Sequence, residues 1–294
     1  MEVVAIFGPT AVGKTGIALE LADLLRRRGE DPVAVNCDSI QVYEGLGVLS
    51  GAASAQERER LEHRLVAFVP LGEEFSAGRY AQLAHGEIDA LLDAGRRPIV
   101  VGGTGLYLRA ALAELDMRPP VPAAIRQEVE AEIGERGGEA LHAELDPDLS
   151  SGVHPNDRKR IARLTELQRL GIYPHATSDG LWTERTRRPT VLAGISCERE
   201  ELDRRIDARV DAMVTAGAIE EVEAADRAGA SRTARAAIGF DELLSGDVEA
   251  MKRAQRRFTR RQLTWMRRMP GVQTVDRTSR SETDVAAEIA GLLG

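Results

Sequence analysis

The stretch Gly8-Pro9-Thr10-Ala11-Val12-Gly13-Lys14-Thr15 fits G-x-x-x-x-G-K-[ST] at every fixed position, and no other stretch constrains the chain as much. Such a loop turns successive backbone N–H groups onto phosphate oxygens, and the helix that follows adds its positive N-terminal end. Lys14 contributes a point charge, and Thr15 supplies a hydroxyl suited to a bound Mg²⁺. The flanks agree with this reading. The apolar run "EVVAIFG" ends in Gly8, and from Lys14 to Arg28 the apolar residues Ile17, Leu21, Leu24 and Leu25 recur at helical spacing before a basic end. Strand, loop and helix therefore follow one another, and Gly8, Thr10, Ala11, Val12, Gly13, Lys14 and Thr15 are assigned to phosphate binding. The loop does not say whose phosphate is held or which bond breaks.

The following sequence repeats the strand–helix alternation. "PVAVNCD" reads as a second strand with Asp38 at its carboxyl end, Ala77 to Ala94 as a helix, and "RPIVVGG" as a third buried strand running into Thr104. Alternation of this kind predicts an α/β fold of the P-loop NTPase type, a parallel sheet flanked by helices. Ligands sit beyond the carboxyl ends of such strands, which is where Gly8–Thr15, Asp38 and Thr104 fall. Near "MRPPVPAAIRQ" the prolines Pro119, Pro120 and Pro122 break the pattern. A mostly helical insertion is expected over 119–187, interrupted by "LDPDLSSGVHPND" and "GIYPHATSDG", between core segments 1–118 and 188–294. "RPTVLAGIS" returns to the sheet, Glu198–Asp226 and Val248–Arg268 read as helices, "GVQTVD" as a last strand and Asp284–Leu293 as a closing helix.

Bulk properties exclude several classes. No apolar run approaches the ~20 residues that span a bilayer, so no membrane partner is expected. The start "MEVVAIFG" shows neither a basic n-region nor a cleavage site, which predicts a cytoplasmic location. Cys37 and Cys197 are far apart and read as reduced thiols; the five histidines, His63, His85, His142, His154 and His175, have no zinc-site spacing. The net charge of −8 argues against a polyanionic partner until its distribution is examined. "KRAQRRFTRRQLTWMRR", Lys252–Arg268, holds eight cations and no acid, and "DRKRIARLTELQR", Asp157–Arg169, holds five cations and two acids.

An ATPase or kinase is the first expectation for the loop, and such enzymes place a second acid at the end of a later strand. "RPIVVGGTGLY" has none there. "NCDSIQVYEGL" instead puts Asp38, Ser39, Ile40, Gln41 and Tyr43 straight after the second strand. Asp38 suits either a general base or a turn, Gln41 offers an amide to a base edge, and Thr104 suits either a hydroxyl donor or the N-cap of "GLYLRAAL".

Taken in order, "GPTAVGKT", "DSIQVY", "FSAGRY", "VVGGTGLYL", "HPNDRKRIAR", "AIGFDEL" and "RRFTRRQLTWMRR" resemble the successive motifs of the tRNA dimethylallyltransferases, over nearly the whole chain. The resemblance implies that the loop holds the diphosphate of dimethylallyl diphosphate, with Mg²⁺ at Thr15. It implies transfer of the prenyl group to the exocyclic amine of the adenosine 3′ of a tRNA anticodon. Asp38 would be the base, with Thr104, Lys14 and Arg209 completing the catalytic set, although Arg209 also suits a surface salt bridge. The tRNA anticodon stem-loop would meet Asp38, Ser39, Ile40, Gln41 and Thr104 with its target base. Arg126, Lys159, Arg160, Ile161, Ala162 and Arg163 in the insertion and Arg257 and Arg261 in the basic helix would meet its backbone. Lys252 and Arg260 suit phosphate contacts as well, Trp265 suits packing, and a monomer is expected. The chain departs from the family in the loop after "EGLGV", where "LSGAASAQERERLEHRLV" lacks the usual lysine, at Phe240, where tyrosine is usual, and at Arg64, where a second histidine is common. Competing readings are a P-loop small-molecule kinase, an isopentenyltransferase using free adenine nucleotides, and an RNA-binding ATP switch.

Overall fold

The computed structural model describes residues 1–173 and 181–293. In chain order the first segment holds β1 (Val3–Phe7), α1 (Lys14–Arg27), β2 (Pro32–Asn36), α2 (Gly47–Ser50), α3 (Ala55–Arg60), β3 (His63–Arg64), α4 (Ala77–Asp93), β4 (Arg97–Gly102) and α5 (Gly105–Leu112). Next come α6 (Ala123–Arg136), α7 (Gly138–Glu144), α8 (Pro147–Ser150) and α9 (Arg158–Arg169). The last segment holds β5 (Thr190–Ser196), α10 (Arg199–Thr215), α11 (Ala218–Arg227), α12 (Arg232–Arg235), α13 (Phe240–Leu244), α14 (Val248–Arg268), β6 (Gln273–Asp276) and α15 (Glu282–Gly291).

The strands form one parallel sheet in the order β3-β2-β4-β1-β5-β6. β1 lies between β4 and β5, with Val4 beside Ile99 on one side and Val191 on the other. Its five residues are all buried, because helices cover both faces of the sheet. On one face Val4 and Ile6 pack with Ile17 and Leu21 of α1, Ile206 of α10 and Val285 and Ile289 of α15. On the other, Ala5 and Phe7 pack with Tyr80 of α4, Leu108 of α5 and Met251 of α14. β1 is thus the strand from which the chain crosses to either side, and its carboxyl end opens on a crevice.

Sequence periodicity located the long elements. The expected helix over Glu198–Asp226 is two helices, because Gly217 takes a left-handed conformation (φ 92°) between α10 and α11. α2, α3 and β3 were not anticipated, being too short to show a period. Residues Asp116–Asp179 form a second compact unit with a core of Val129, Ile133, Leu141, Leu145, Leu149, Ile161 and Leu164. This boundary differs from the expected 119–187. Residues 181–188 belong to the sheet-bearing unit: Trp182 packs on Trp265 with ring centroids 4.8 Å apart, Arg187 N donates to Leu112 O at 2.7 Å, and Arg187 Nη2 pairs with Asp89 at 2.9 Å. The break expected at "GIYPHATSDG" falls largely on 174–180, outside the described residues, as does His175.

Candidate active site

Beyond Phe7 the chain turns through Gly8 to Gly13 before α1 starts at Lys14. Ala11 (φ 66°) and Gly13 (φ 92°) both take left-handed conformations, and the alternation aims successive N–H groups to one side as an anion-binding concavity. Gly8 is needed on other grounds: a Cβ there would stand 3.0 Å from Ile195 O and 3.2 Å from Val12 Cγ1. Val12 is fully buried in the core, so it presents only its backbone to a ligand. Lys14 Nζ folds back to donate to Gly8 O at 3.1 Å and Pro9 O at 2.9 Å. Desolvation pulls this ammonium down to about 8; the Asp38 carboxylate opposes the shift and Arg209 adds to it.

The facing wall comes from the ends of β2 and β4. Asn36, 2% exposed, fixes the turn after β2: its Oδ1 accepts from Asp38 N at 2.9 Å, and its Nδ2 donates to Asp38 O at 3.1 Å and Leu65 O at 2.9 Å. Asp38 Oδ1 accepts from Ile40 N at 3.0 Å, so the turn role is real and occupies one carboxylate oxygen. Thr104 stands at the N-cap position of α5 yet makes no capping bond. Its hydroxyl accepts from Ser39 N at 3.1 Å and donates to Ser39 Oγ at 3.3 Å, which ties the two strand ends together. Gln41 Nε2 donates to Gly51 O at 3.2 Å, so half of its amide holds its own loop.

Arg209 of α10 makes no ion pair among the described residues, so the surface salt-bridge reading falls. Its guanidinium turns inward, with Nη2 donating to Ser50 O at 3.3 Å and Nε buried without a partner. Burial lowers its pKa, against the pull of Asp38. The loop, Asp38–Gln41, Thr104 and Arg209 surround one cavity of about 670 Å³, whose walls also include Tyr43, Leu49, Phe75, Tyr107 and Phe258. This is an ordinary size for a small-ligand site. The phosphate loop and the Asp38–Thr104 pair therefore share one chamber.

Three site residues escaped the sequence reading. Asn36 had a faint local signal, being a polar residue at the end of an apolar strand. Gln262 of α14, 4% exposed, accepts from Thr10 N at 2.8 Å through Oε1 and donates to Gly103 O at 2.8 Å through Nε2. Glu282, the first residue of α15, places its carboxylate against the loop: Oε1 lies 2.9 Å from where a Cβ on Gly13 would stand, and a Cβ on Gly16 would collide with it. The end of β4 indeed lacks an acid, but α15 brings one to the cavity from elsewhere. Thr15 and Glu282 both line the chamber at the N-terminus of α1. Such hard oxygens fit a Mg²⁺ held mainly by phosphate and water. Among the described residues no cluster of three His, Cys, Asp or Glu suits a metal, and both cysteines are free.

The cationic stretches divide into free and occupied side chains. On α14, Arg257, Arg260 and Arg261 are exposed and form no ion pair among the described residues. Lys252 is instead held by Asp211 at 2.7 Å and Glu249 at 3.1 Å, and Arg256 by Asp207, so these two tie α14 to α10. Trp265 packs, lying against Gly105 and Trp182. In the second unit Lys159 and Arg160 are exposed, the latter near its own N-cap Asp157 at 3.8 Å. There Ile161 cannot face RNA, and two of the cations are engaged within the unit. Ile161 is fully buried and supports the helix from inside, Arg163 is taken by Glu166 at 3.0 Å and Pro119 O at 2.6 Å, and Arg126 turns back to Val121 O at 3.2 Å. Ala162 is half-buried beside them.

Comparison with known proteins agrees over most of the chain. The family model "IPP transferase" matches residues 41–269. A tRNA dimethylallyltransferase of Thermobifida fusca (strain YX) is 38% identical, covering 92% of this chain and 88% of the relative. One of Rhodospirillum centenum (strain ATCC 51521 / SW) is 41% identical, covering 90% and 88%. Among solved structures, the full-length tRNA isopentenylpyrophosphate transferase of Bacillus halodurans superposes with a TM-score of 0.70 at 31% identity, covering 99% of this chain and 96% of that one. A eukaryotic dimethylallyltransferase acting on tRNA shares the fold, with a TM-score of 0.73 at 24% identity over 99% of this chain and 77% of that one.

Proposed function

The chain belongs to the IPP transferase family, and we propose that it moves a dimethylallyl group from dimethylallyl diphosphate to the exocyclic amine of the adenosine 3′ of the anticodon in tRNA, giving N6-dimethylallyladenosine. It is a prenyltransferase that modifies tRNA. The observation that carries the finer reading is the shared chamber: a diphosphate cradle on one wall and a carboxylate with a hydroxyl on the other.

In this reaction the allylic carbon–oxygen bond breaks as the carbon–nitrogen bond forms. Negative charge grows on the departing diphosphate, and positive charge grows on the allylic carbon. Thr10 N–H is taken by Gln262, so the amides of Ala11 to Thr15, the Lys14 ammonium and the Arg209 guanidinium would meet that negative charge as it develops, which is the large part of such a barrier. A Mg²⁺ at the Thr15 hydroxyl would neutralise further charge on the leaving group. Asp38 takes the proton from the attacking amine, using the carboxylate oxygen that Ile40 N leaves free. Thr104 offers its hydroxyl to the bridging oxygen, releasing the long contact to Ser39 Oγ. The target base reaches this depth only when flipped out of its loop. Arg257 and Arg261 on α14 and Lys159 and Arg160 on α9 are exposed cations that would meet the RNA backbone, Arg160 giving up its 3.8 Å contact with Asp157.

Nucleoside mass spectrometry of tRNA incubated with the protein, dimethylallyl diphosphate and Mg²⁺ tests the reading. A prenylated adenosine is expected. Phosphate transfer from ATP without that product would overturn it, and prenylation of free adenine nucleotides alone would reassign the acceptor.

A further inference from the structure

α14 presents two different polar faces. Arg257, Arg260 and Arg261 point outward. Gln255, Thr259 and Gln262 form a buried polar stripe along the other side, where an ordinary amphipathic helix would place apolar residues. Gln262 is the member that reaches the active site. Its one amide bridges the two loops that leave the paired strand ends Phe7 and Gly102: the phosphate loop at Thr10 N and the β4–α5 turn at Gly103 O, both at 2.8 Å. The fit is tight, since a Cβ on Gly103 would collide with Nε2 of Gln262, and Lys14 Nζ lies 3.5 Å from the same point. One turn on, Trp265 seals the helix against Gly105.

We propose that Gln262 is a positioning residue that couples RNA engagement by α14 to the geometry of the diphosphate loop, so that donor and acceptor strengthen each other's binding. The inference rests on the proposed function, in which the outer face of α14 meets RNA and the loop meets diphosphate. A hydrogen bond weakens steeply when its length or angle departs from the optimum. Two bonds from one rigid amide therefore register small shifts of α14 at Thr10 and Gly103 together. Thr10 N–H is spent on Gln262 and not on the ligand, but Thr10 belongs to the same loop as the amides of Ala11 to Thr15, so seating α14 firmly holds the backbone of the cradle in place. Coupling of this kind is reciprocal: the factor by which RNA tightens diphosphate equals the factor by which diphosphate tightens RNA.

Calorimetric titration of the full-length protein with inorganic diphosphate and Mg²⁺, with and without a saturating anticodon stem-loop hairpin, reads this factor; the reverse titration checks reciprocity. The wild type is expected to show a mutual gain of about fivefold or more. Gln262→Met keeps length and volume but has no donor or acceptor of comparable strength, and should bring the factor close to one, the factor being read as a ratio that is separate from any change in either single affinity. Gln262→Asn, one methylene shorter, cannot span both loops and should behave likewise if the methionine variant fails to fold. A merely structural glutamine would lower both separate affinities and leave their coupling unchanged, which overturns the proposal. So does a wild type that binds both ligands independently, an outcome that leaves the proposed function standing. A wild type that binds neither ligand removes the proposed function, and this inference with it.

Discussion

Asp38 reaches the chamber because β2 ends at Asn36 and the buried Asn36 side chain ties down both the N–H and the carbonyl of residue 38. The carboxylate therefore arrives in a fixed orientation with one oxygen spare. Asp38→Asn should lower the single-turnover prenylation rate by about 10²–10⁴-fold, the usual span for a general base, with tRNA affinity retained in a filter-binding assay; an unaltered rate would exclude Asp38 as the base. Lys14 carries a separate signature. In the proposed reaction diphosphate meets the ammonium form, and in the free protein burial brings the loss of that proton down from 10.5 to about 8. A bound anion favours the charged form and raises the value again. Donor binding is therefore at full strength below about pH 8 and is lost above it, by about tenfold per pH unit. The check is kcat/KM for the donor across pH, and a flat profile from pH 7 to about 10 would contradict the assignment. Local pattern placed Asp38, Thr104 and the loop, because each follows directly on a strand end. Gln262 and Glu282 left no such trace: Gln262 meets a partner 252 residues away, and Glu282 sits in an ordinary capping-box turn behind Ser281.

Among the elements, α14 shows best how far a pattern can be read. Its bounds, Val248–Arg268, match the expectation. Asp247 caps it by accepting from Ala250 N at 2.7 Å, and the cations follow at helical spacing. Which of those cations remain free depends on α10, whose Asp207 and Asp211 occupy Arg256 and Lys252. Arg257→Ala and Arg261→Ala should each weaken tRNA binding and reduce the slope of log affinity against log salt by about 1. Lys252→Ala should leave that slope nearly unchanged and act on the packing of α14 instead. Binding isotherms at several salt concentrations separate the two behaviours, and equal slopes for all three variants would refute the division.

At the scale of the whole molecule, two units with separate cores share one chain. Ile161, expected to touch RNA, is fully buried in the smaller core. Ile161→Ala should cost about 2–5 kcal/mol by leaving a cavity. Amide hydrogen exchange should show the loss as faster exchange in α6, α7 and α9, with the sheet still protected; uniform acceleration would mean that the two cores unfold as one. The sequence alone determined the strand–loop–helix around Gly8–Thr15 and the alternation that builds a parallel sheet flanked by helices. These follow from hydrophobic period and backbone geometry, which are properties of neighbours along the chain. Tertiary structure alone decided that Gln262 bridges two loops, that Glu282 lies against the cradle, and that some arginines are consumed while others face outward. Those outcomes depend on which side chains approach through space, and the packing of helices from opposite ends of the chain around β1 sets that approach.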